Sequence, residues 1–166
     1  MTLKEITDEI VSKHHSFLRR ELPRLSELLD ELTTQQTKDD SALREARQLY
    51  TKVRTKIEAH LHDEETVIFP TGVALDHGGS PPESGMDLRE RLQEMETEHT
   101  NCGNALGTLE QMLNRLSDSK LKDTTLNALR ELRADLDVHV DKENSLVHPR
   151  LFELLPNRDA FGSTVT

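Results

Sequence analysis

Six polar side chains interrupt apolar stripes of this sequence, and their types and spacing suit the binding of metal ions. They are four histidines and two glutamates: His15, His60, Glu64, His99, His139 and Glu143. His60 and Glu64 are four residues apart, as are His139 and Glu143, so each pair is expected on one helix face, one turn apart. Imidazole and carboxylate ligands without thiolate suit iron, manganese or zinc.

Two carboxylates on apolar stripes need a counter-charge, because burying one charged carboxylate without compensation costs roughly several kcal/mol. No Lys or Arg occupies the same stripes at that level. A lone histidine on such a stripe is more often a hydrogen-bonded core residue, so a metal-free interaction bundle is the alternative. Four histidines together with two glutamates favour a metal pair instead.

The elements that must position these residues are four amphipathic helices. Apolar residues recur at steps of three and four over residues 3–32, 41–73, 87–117 and 124–155. We predict an all-α, antiparallel up-down-up-down four-helix bundle over residues 1–155, followed by a C-terminal tail at 156–166. We predict a capping box formed by Thr2 and Glu5 and a loop at residues 76–85. Pro23 lies inside the first helical stretch and should either kink the helix or cost it a hydrogen bond.

The depth of the six residues along the bundle agrees with a single site. His15 and His99 lie about 12 residues, roughly 18 Å, after the predicted starts of their helices. Glu64 and Glu143 lie roughly 9–18 Å before the ends of theirs. In an antiparallel bundle those starts and ends share one end of the molecule, so the six side chains can meet in one layer.

A short repeat relates the two halves of the chain. His60-x3-Glu64-x5-Pro70 recurs as His139-x3-Glu143-x5-Pro149, with each position displaced by 79 residues. We interpret this as an approximate two-fold relation between the first and second helix pairs.

The other four histidines are predicted to be structural or exposed. His62 lies about 200° around its helix from His60, and His148 about 180° from His139, so both should face away from the site. His14 points about 100° away from its neighbour, and His77 lies in the loop.

Composition excludes several classes of function. A net charge of −10 and a pI near 5.2 argue against nucleic-acid or anionic-membrane binding. A single cysteine, Cys102, excludes an intramolecular disulfide and any thiolate-rich zinc or iron–sulfur site built from this chain alone. With neither a classical signal peptide nor a long apolar run, we expect a cytoplasmic protein.

The motifs RRELPRL, HLHDEETVIFP, METEHTNCG and HVDKENSLVHPRL together resemble the hemerythrin-like (HHE cation-binding) domain, and most closely the Repair of Iron Centres di-iron proteins. This resemblance covers essentially the whole chain. It implies that the four histidines are terminal iron ligands, while Glu64 and Glu143 bridge two iron ions that also share an oxo group. One coordination position on each iron would then be open to water, oxygen or nitric oxide.

The sequence departs from these relatives in four respects. Oxygen-carrying hemerythrins have another histidine one turn after the third-helix ligand, where this chain has Gly103, which either leaves space or allows close helix packing. In the last helix of those hemerythrins a histidine and an aspartate are five residues apart, whereas in this chain His139 and Glu143 are four residues apart. Many repair proteins carry a small N-terminal domain with adjacent cysteines, which the matching motifs do not include. His148-Pro149 stands where the family usually has Phe-Pro.

Three functions follow from the resemblance. The first is a di-iron protein that donates iron for repair of iron–sulfur clusters under nitrosative or oxidative stress, with iron–sulfur proteins as acceptors. The alternatives are an oxygen or nitric-oxide binder or sensor, and a di-iron nitric-oxide or peroxide reductase. Manganese or zinc remains possible as the metal. Cys102 is either a packed small residue or redox-active, and Glu98 either shapes a polar channel or is solvated.

Overall fold

A computed structural model describes residues 1–36, 40–80 and 87–156. These residues form four long helices. Helix α1 comprises the consecutive segments Leu3–Glu9, Ile10–His15 and Ser16–Gln35; α2 comprises Ser41–Asp63, Glu64–Ile68 and Phe69–Asp76; α3 is Leu88–Asn114; and α4 comprises Lys120–Lys142, Glu143–Val147 and His148–Leu154. Helix α1 packs on α2 and α4, and α3 packs on the same two helices. The predicted four-helix bundle is thus confirmed.

Each long helix begins at a side chain that accepts hydrogen bonds from the first turn. Thr2 accepts from the Glu5 amide while the Glu5 carboxylate accepts from the Thr2 amide, which confirms the predicted capping box. The side chains of Asp40, Asp87 and Ser119 cap the other three helices by accepting hydrogen bonds from amides of the first turn. Polar residues before each apolar stripe therefore set where the helices start.

The core consists of two clusters with a polar layer between them. The larger cluster runs from Leu18 to Leu136 along the body of the bundle, and the smaller includes Leu3, Met95 and Leu151. Along every helix, residues of one cluster come before the histidines and glutamates of the site and residues of the other cluster come after them. The layer is therefore sealed by hydrocarbon on both sides.

Three of the four helices contain a π-helical turn at the site. The turn Ile10–His15 ends at one of the histidines, whereas Glu64–Ile68 and Glu143–Val147 each begin at a glutamate. In both later turns the residue before the proline donates its amide to the glutamate carbonyl five residues earlier. Proline has no amide hydrogen and so cannot donate a backbone hydrogen bond within a helix. Pro70 and Pro149 each lie just after a π turn, where the regular α-helical hydrogen bonds are already interrupted.

Some predictions concern parts of the chain that the structure does not describe. The loop predicted at 76–85 includes 81–85, and the predicted tail includes 157–166, so both lie partly outside the described residues. Pro23 lies inside the helical segment Ser16–Gln35. Among the described residues no helix is both long and apolar enough to cross a membrane.

Candidate metal centre

The structure brings the six predicted residues together from all four helices. Helix α1 supplies His15, α3 supplies His99, and α2 and α4 each supply a histidine and a glutamate. Glu64, Glu143 and His15 are completely buried, and the other three side chains are at most 9% exposed. Six groups that water would normally solvate therefore face one another inside the bundle.

One half of the site contains His15 and His139. Their Nε2 atoms are 3.2 Å apart. The Nε2 of His15 lies 3.0 Å from Oε2 of Glu64, and the Nε2 of His139 lies 2.5 Å from Oε1 of Glu143. One donor atom from each of the four residues can be chosen so that all lie within 4.8 Å of one another, which suits a single ion.

The other half contains His60 and His99, whose Nε2 atoms are 2.9 Å apart. Here the Nε2 of His99 lies 3.0 Å from Oε2 of Glu143, and the Nε2 of His60 contacts Oε1 of Glu64. Each carboxylate thus presents one oxygen to each half of the site. That arrangement is a dinuclear metal site in which Glu64 and Glu143 are shared.

Three of the four oxygens of the shared carboxylates have no hydrogen-bond partner among the described residues. Both oxygens of Glu64 and Oε2 of Glu143 are buried and unpartnered, although imidazole nitrogens approach them closely. The approaches do not have the geometry of hydrogen bonds. Unpaired buried carboxylate oxygens are costly, and a cation between the donor atoms would satisfy them.

Without metal, the charges of neighbouring side chains shift the pKa values of Glu64, His99 and His60. Burial opposes ionisation of Glu64, yet the imidazoles of His15, His60 and His99 lower its pKa well below the usual value. Burial likewise opposes protonation of His99, but Glu143 and Glu64 outweigh burial and raise its pKa to about 10. The pKa of His60 is also raised, by Glu64 against the effect of burial. Protons therefore compete with metal ions for these nitrogens.

Glu98 orients one of the histidines. Its Oε2 lies 2.7 Å from Nδ1 of His60, and its Oε1 accepts a hydrogen bond of 3.0 Å from Arg91. Burial opposes ionisation of Glu98, but His60 and Arg91 hold its pKa below the usual value. Histidines that bind metals commonly donate their second N–H to a carboxylate in this way. Glu98 is thus neither merely solvated nor only a channel residue.

Polar side chains also lie beside Nδ1 of two further histidines. Nδ1 of His15 lies 3.3 Å from Glu65, which accepts a hydrogen bond from Arg19. Nδ1 of His99 lies 3.3 Å from the amide oxygen of Asn144. Sequence reasoning missed Glu65 and Asn144, although each follows a predicted bridging glutamate directly in the chain.

Two of the four histidines predicted to lie outside the site are exposed, His62 and His77. His14 is buried instead. Its ring stacks on that of His139 at a centroid distance of 5.5 Å, and its Nδ1 lies 2.9 Å from Asp135. His14 therefore serves as packing behind a site residue.

The prediction that His148 faces away from the site was wrong. His148 is completely buried and stacks on His99 at a centroid distance of 5.8 Å. The cause is the π turn Glu143–Val147, whose extra residue rotates everything after it by about 100° relative to an uninterrupted α-helix.

Space adjoins the half of the site that contains His60 and His99. A cavity of about 320 Å³ between α2 and α3 reaches His60, and a smaller one of about 30 Å³ touches His60, His99 and His139. Cys102 lines both cavities, and burial raises the pKa of its thiol. A Cβ placed on Gly103 would meet no described atom within 4 Å, so this glycine leaves space rather than allowing close helix packing.

The donor set fits metals that accept nitrogen and oxygen together. Neither of the two donor clusters found among the described residues contains a cysteine. Four imidazoles and two carboxylates suit iron, manganese or zinc better than copper(I) or an iron–sulfur cluster.

Comparison with known proteins agrees with this geometry. The model of the hemerythrin HHE cation binding domain matches residues 7–151, so the chain belongs to that family. The predicted resemblance to the family is therefore confirmed.

Individual relatives are more distant. The chain is 25% identical over 152 residues to proteins named iron-sulfur cluster repair protein YtfE from Escherichia coli O81 (strain ED1a), Escherichia coli O1:K1 / APEC and Escherichia fergusonii. The matches cover 89% of this chain and 66% of each relative. The chain thus spans slightly less than two thirds of the length of these relatives.

Proposed function

We propose that this protein binds two iron ions through His15, His60, Glu64, His99, His139 and Glu143, and that it donates iron to damaged iron–sulfur clusters. The observation that carries the proposal is the division of each buried carboxylate between the two halves of the site. The name of the distant relatives supports iron as the metal and cluster repair as the use. Iron–sulfur proteins would be the acceptors.

In this role each residue has a defined task. The Nε2 atoms of the histidines would bind the ions, and Glu64 and Glu143 would be shared between them while neutralising part of their charge. Glu98 keeps the His60 ring in place through Nδ1, and Glu65 lies beside Nδ1 of His15. When bound, the iron pair supplies exchangeable coordination positions and redox chemistry.

The two halves of the site differ in their access to solvent. The His60 and His99 side chains are 9% and 7% exposed and adjoin the cavities, whereas those of His15 and His139 are 0% and 2% exposed. Ligand exchange should therefore begin at the His60–His99 half. This asymmetry favours release of one ion before the other.

Iron transfer tests the proposal. Protein loaded with ⁵⁷Fe is mixed with an apo-ferredoxin, sulfide and a thiol reductant, and the labelled cluster is measured by Mössbauer spectroscopy. We expect the label in the acceptor, and a faster loss of one iron than of the other to a ferrous chelator. Iron that stays bound for days against a strong chelator would refute donation. Glu143→Gln should load less iron, and Glu153→Gln, at an exposed position, is the matched control.

A second candidate is reversible binding of oxygen or nitric oxide. The small cavity beside His60, His99 and His139 favours it, because about 30 Å³ can hold a diatomic molecule. Stopped-flow spectra of the reduced iron protein with each gas test this role. An unchanged spectrum with both gases rules it out, and a reversible change supports it.

A further inference from the structure

The residue before each repeat proline occupies the same place in the two halves of the bundle. Phe69 and His148 both follow a shared glutamate by five residues and bond to its carbonyl across a π turn. Phe69 stacks on His15 at a centroid distance of 5.9 Å, and His148 stacks on His99 at 5.8 Å. One half of the site is therefore closed by a phenyl ring and the other by an imidazole.

Packing alone does not explain the imidazole. A phenyl ring fills the equivalent position beside His15, whereas His148 is completely buried and its Nε2 has no hydrogen-bond partner among the described residues. An unsatisfied buried nitrogen destabilises the fold. A group that interacts with Nε2 in the working protein would remove that cost.

The partner of the other ring nitrogen defines what Nε2 offers. Nδ1 of His148 lies 3.1 Å from a carboxylate oxygen of Glu96, which can only accept, so in the neutral ring Nδ1 is the donor and Nε2 presents a lone pair. His60 has the same arrangement with its own carboxylate. His14 does not, because its Nε2 already lies 3.2 Å from the ammonium group of Lys142.

His148 would contact a bound metal ion through a water molecule rather than directly. His148 belongs to neither cluster of donor atoms that lie within 4.8 Å of one another, so it is not placed as a further ligand. A water molecule bound to metal can reach a nitrogen roughly 5 Å from the ion, adding about 2.1 Å for the metal–oxygen bond to about 2.8 Å for the hydrogen bond.

We propose that Nε2 of His148 accepts a hydrogen bond from a water molecule that a metal ion in the His60–His99 half would bind. His148 is then a positioning residue that fixes where an exchangeable ligand resides. Phe69 cannot accept such a bond, so the His15–His139 half lacks this anchor. The inference rests on the two-metal site proposed above.

A crystal structure of the zinc-loaded protein tests the inference directly, since zinc is redox-inert. We expect two zinc ions per chain and a water oxygen within 3.5 Å, or about one long hydrogen bond, of Nε2 of His148. Fewer than two ions would contradict the two-metal site itself. Two ions without that water, or with His148 bound directly to zinc, would overturn the role proposed for His148.

Variants provide a second readout in solution. His148→Phe, which copies Phe69, should leave the unfolding free energy of the metal-free protein unchanged or higher, yet weaken one of the two zinc-binding steps by about tenfold or more. His148→Gln, whose amide oxygen still accepts a hydrogen bond, should restore most of that affinity. His62→Gln, at an exposed histidine, is the control and should leave both steps within about threefold. Equal affinities for wild type and His148→Phe would refute the proposal.

Discussion

Metal binding to this site should depend steeply on pH, because His99 must lose a proton before its Nε2 can bind an ion. Glu143 and Glu64 outweigh burial and raise the pKa of His99 to about 10, above the ordinary 6.5. At pH 7 only about one metal-free molecule in a thousand then has a neutral His99, which opposes metal binding by about 4 kcal/mol. The raised pKa of His60 adds to the same effect.

The sign and size of the change follow from this competition. A protonated imidazole cannot bind metal, so affinity rises with pH until the pH reaches the pKa of the metal-free site. We expect the zinc affinity of the His60–His99 half to rise about tenfold per pH unit, or about a hundredfold from pH 7 to pH 9. Above about pH 10 the affinity should level off.

Competition with a chromophoric chelator calibrated at each pH measures the affinity. Calorimetry in buffers of different ionisation enthalpy counts the protons released, and we expect at least one per chain at pH 8. His62→Gln, at an exposed histidine, should retain the slope, whereas His99→Ala should lower it by about one proton. An affinity that changes less than threefold between pH 7 and pH 9 would refute the coupling of His99 to the carboxylates.

Three further predictions concern stability and the surroundings of the site. The raised pKa of His99 stabilises the metal-free fold fully at pH values below about 6.5, the pKa of an unfolded histidine, and this contribution is lost above about pH 10. The urea midpoint of the metal-free protein should therefore fall between these pH values, and bound metal should abolish the fall. The lowered pKa of Glu64 acts in the opposite sense, and its contribution is lost on acidification from about pH 4.5. Glu98→Gln should weaken zinc binding about 10–100-fold by chelator competition, whereas Glu94→Gln, at an exposed residue, should not. Gly103→Ala should raise the free energy of unfolding by about 0.5–1 kcal/mol without changing metal content, because its Cβ meets open space inside a helix; a loss of stability would contradict this.

The helices and the site residues were predictable because they rest on regular spacing. Apolar steps of three and four gave the four helices, and the structure extends or shortens their ends by only a few residues. The six polar residues stood out because they interrupted those stripes at matching depths. Their convergence then followed from the antiparallel arrangement of the bundle.

The surroundings of the site were not predictable in the same way. A π turn leaves no regular spacing in the sequence, so the rotation that buries His148 against His99 was invisible. Glu98 and Glu65 precede or follow site residues directly, and α-helical geometry alone points such neighbours about 100° away. The hydrogen bond between Glu98 and His60 and the approach of Glu65 to His15 depend on the detailed packing of neighbouring helices.

The number and coupling of bound iron ions test the central claim most directly. Protein produced in iron-supplemented cells is analysed for metal and examined by Mössbauer spectroscopy in an applied magnetic field. We predict two irons per chain that are magnetically coupled through shared ligands, with both coupling and second-site occupancy lost in Glu143→Gln. One iron per chain, or two that are magnetically independent, would contradict a site in which Glu64 and Glu143 are shared.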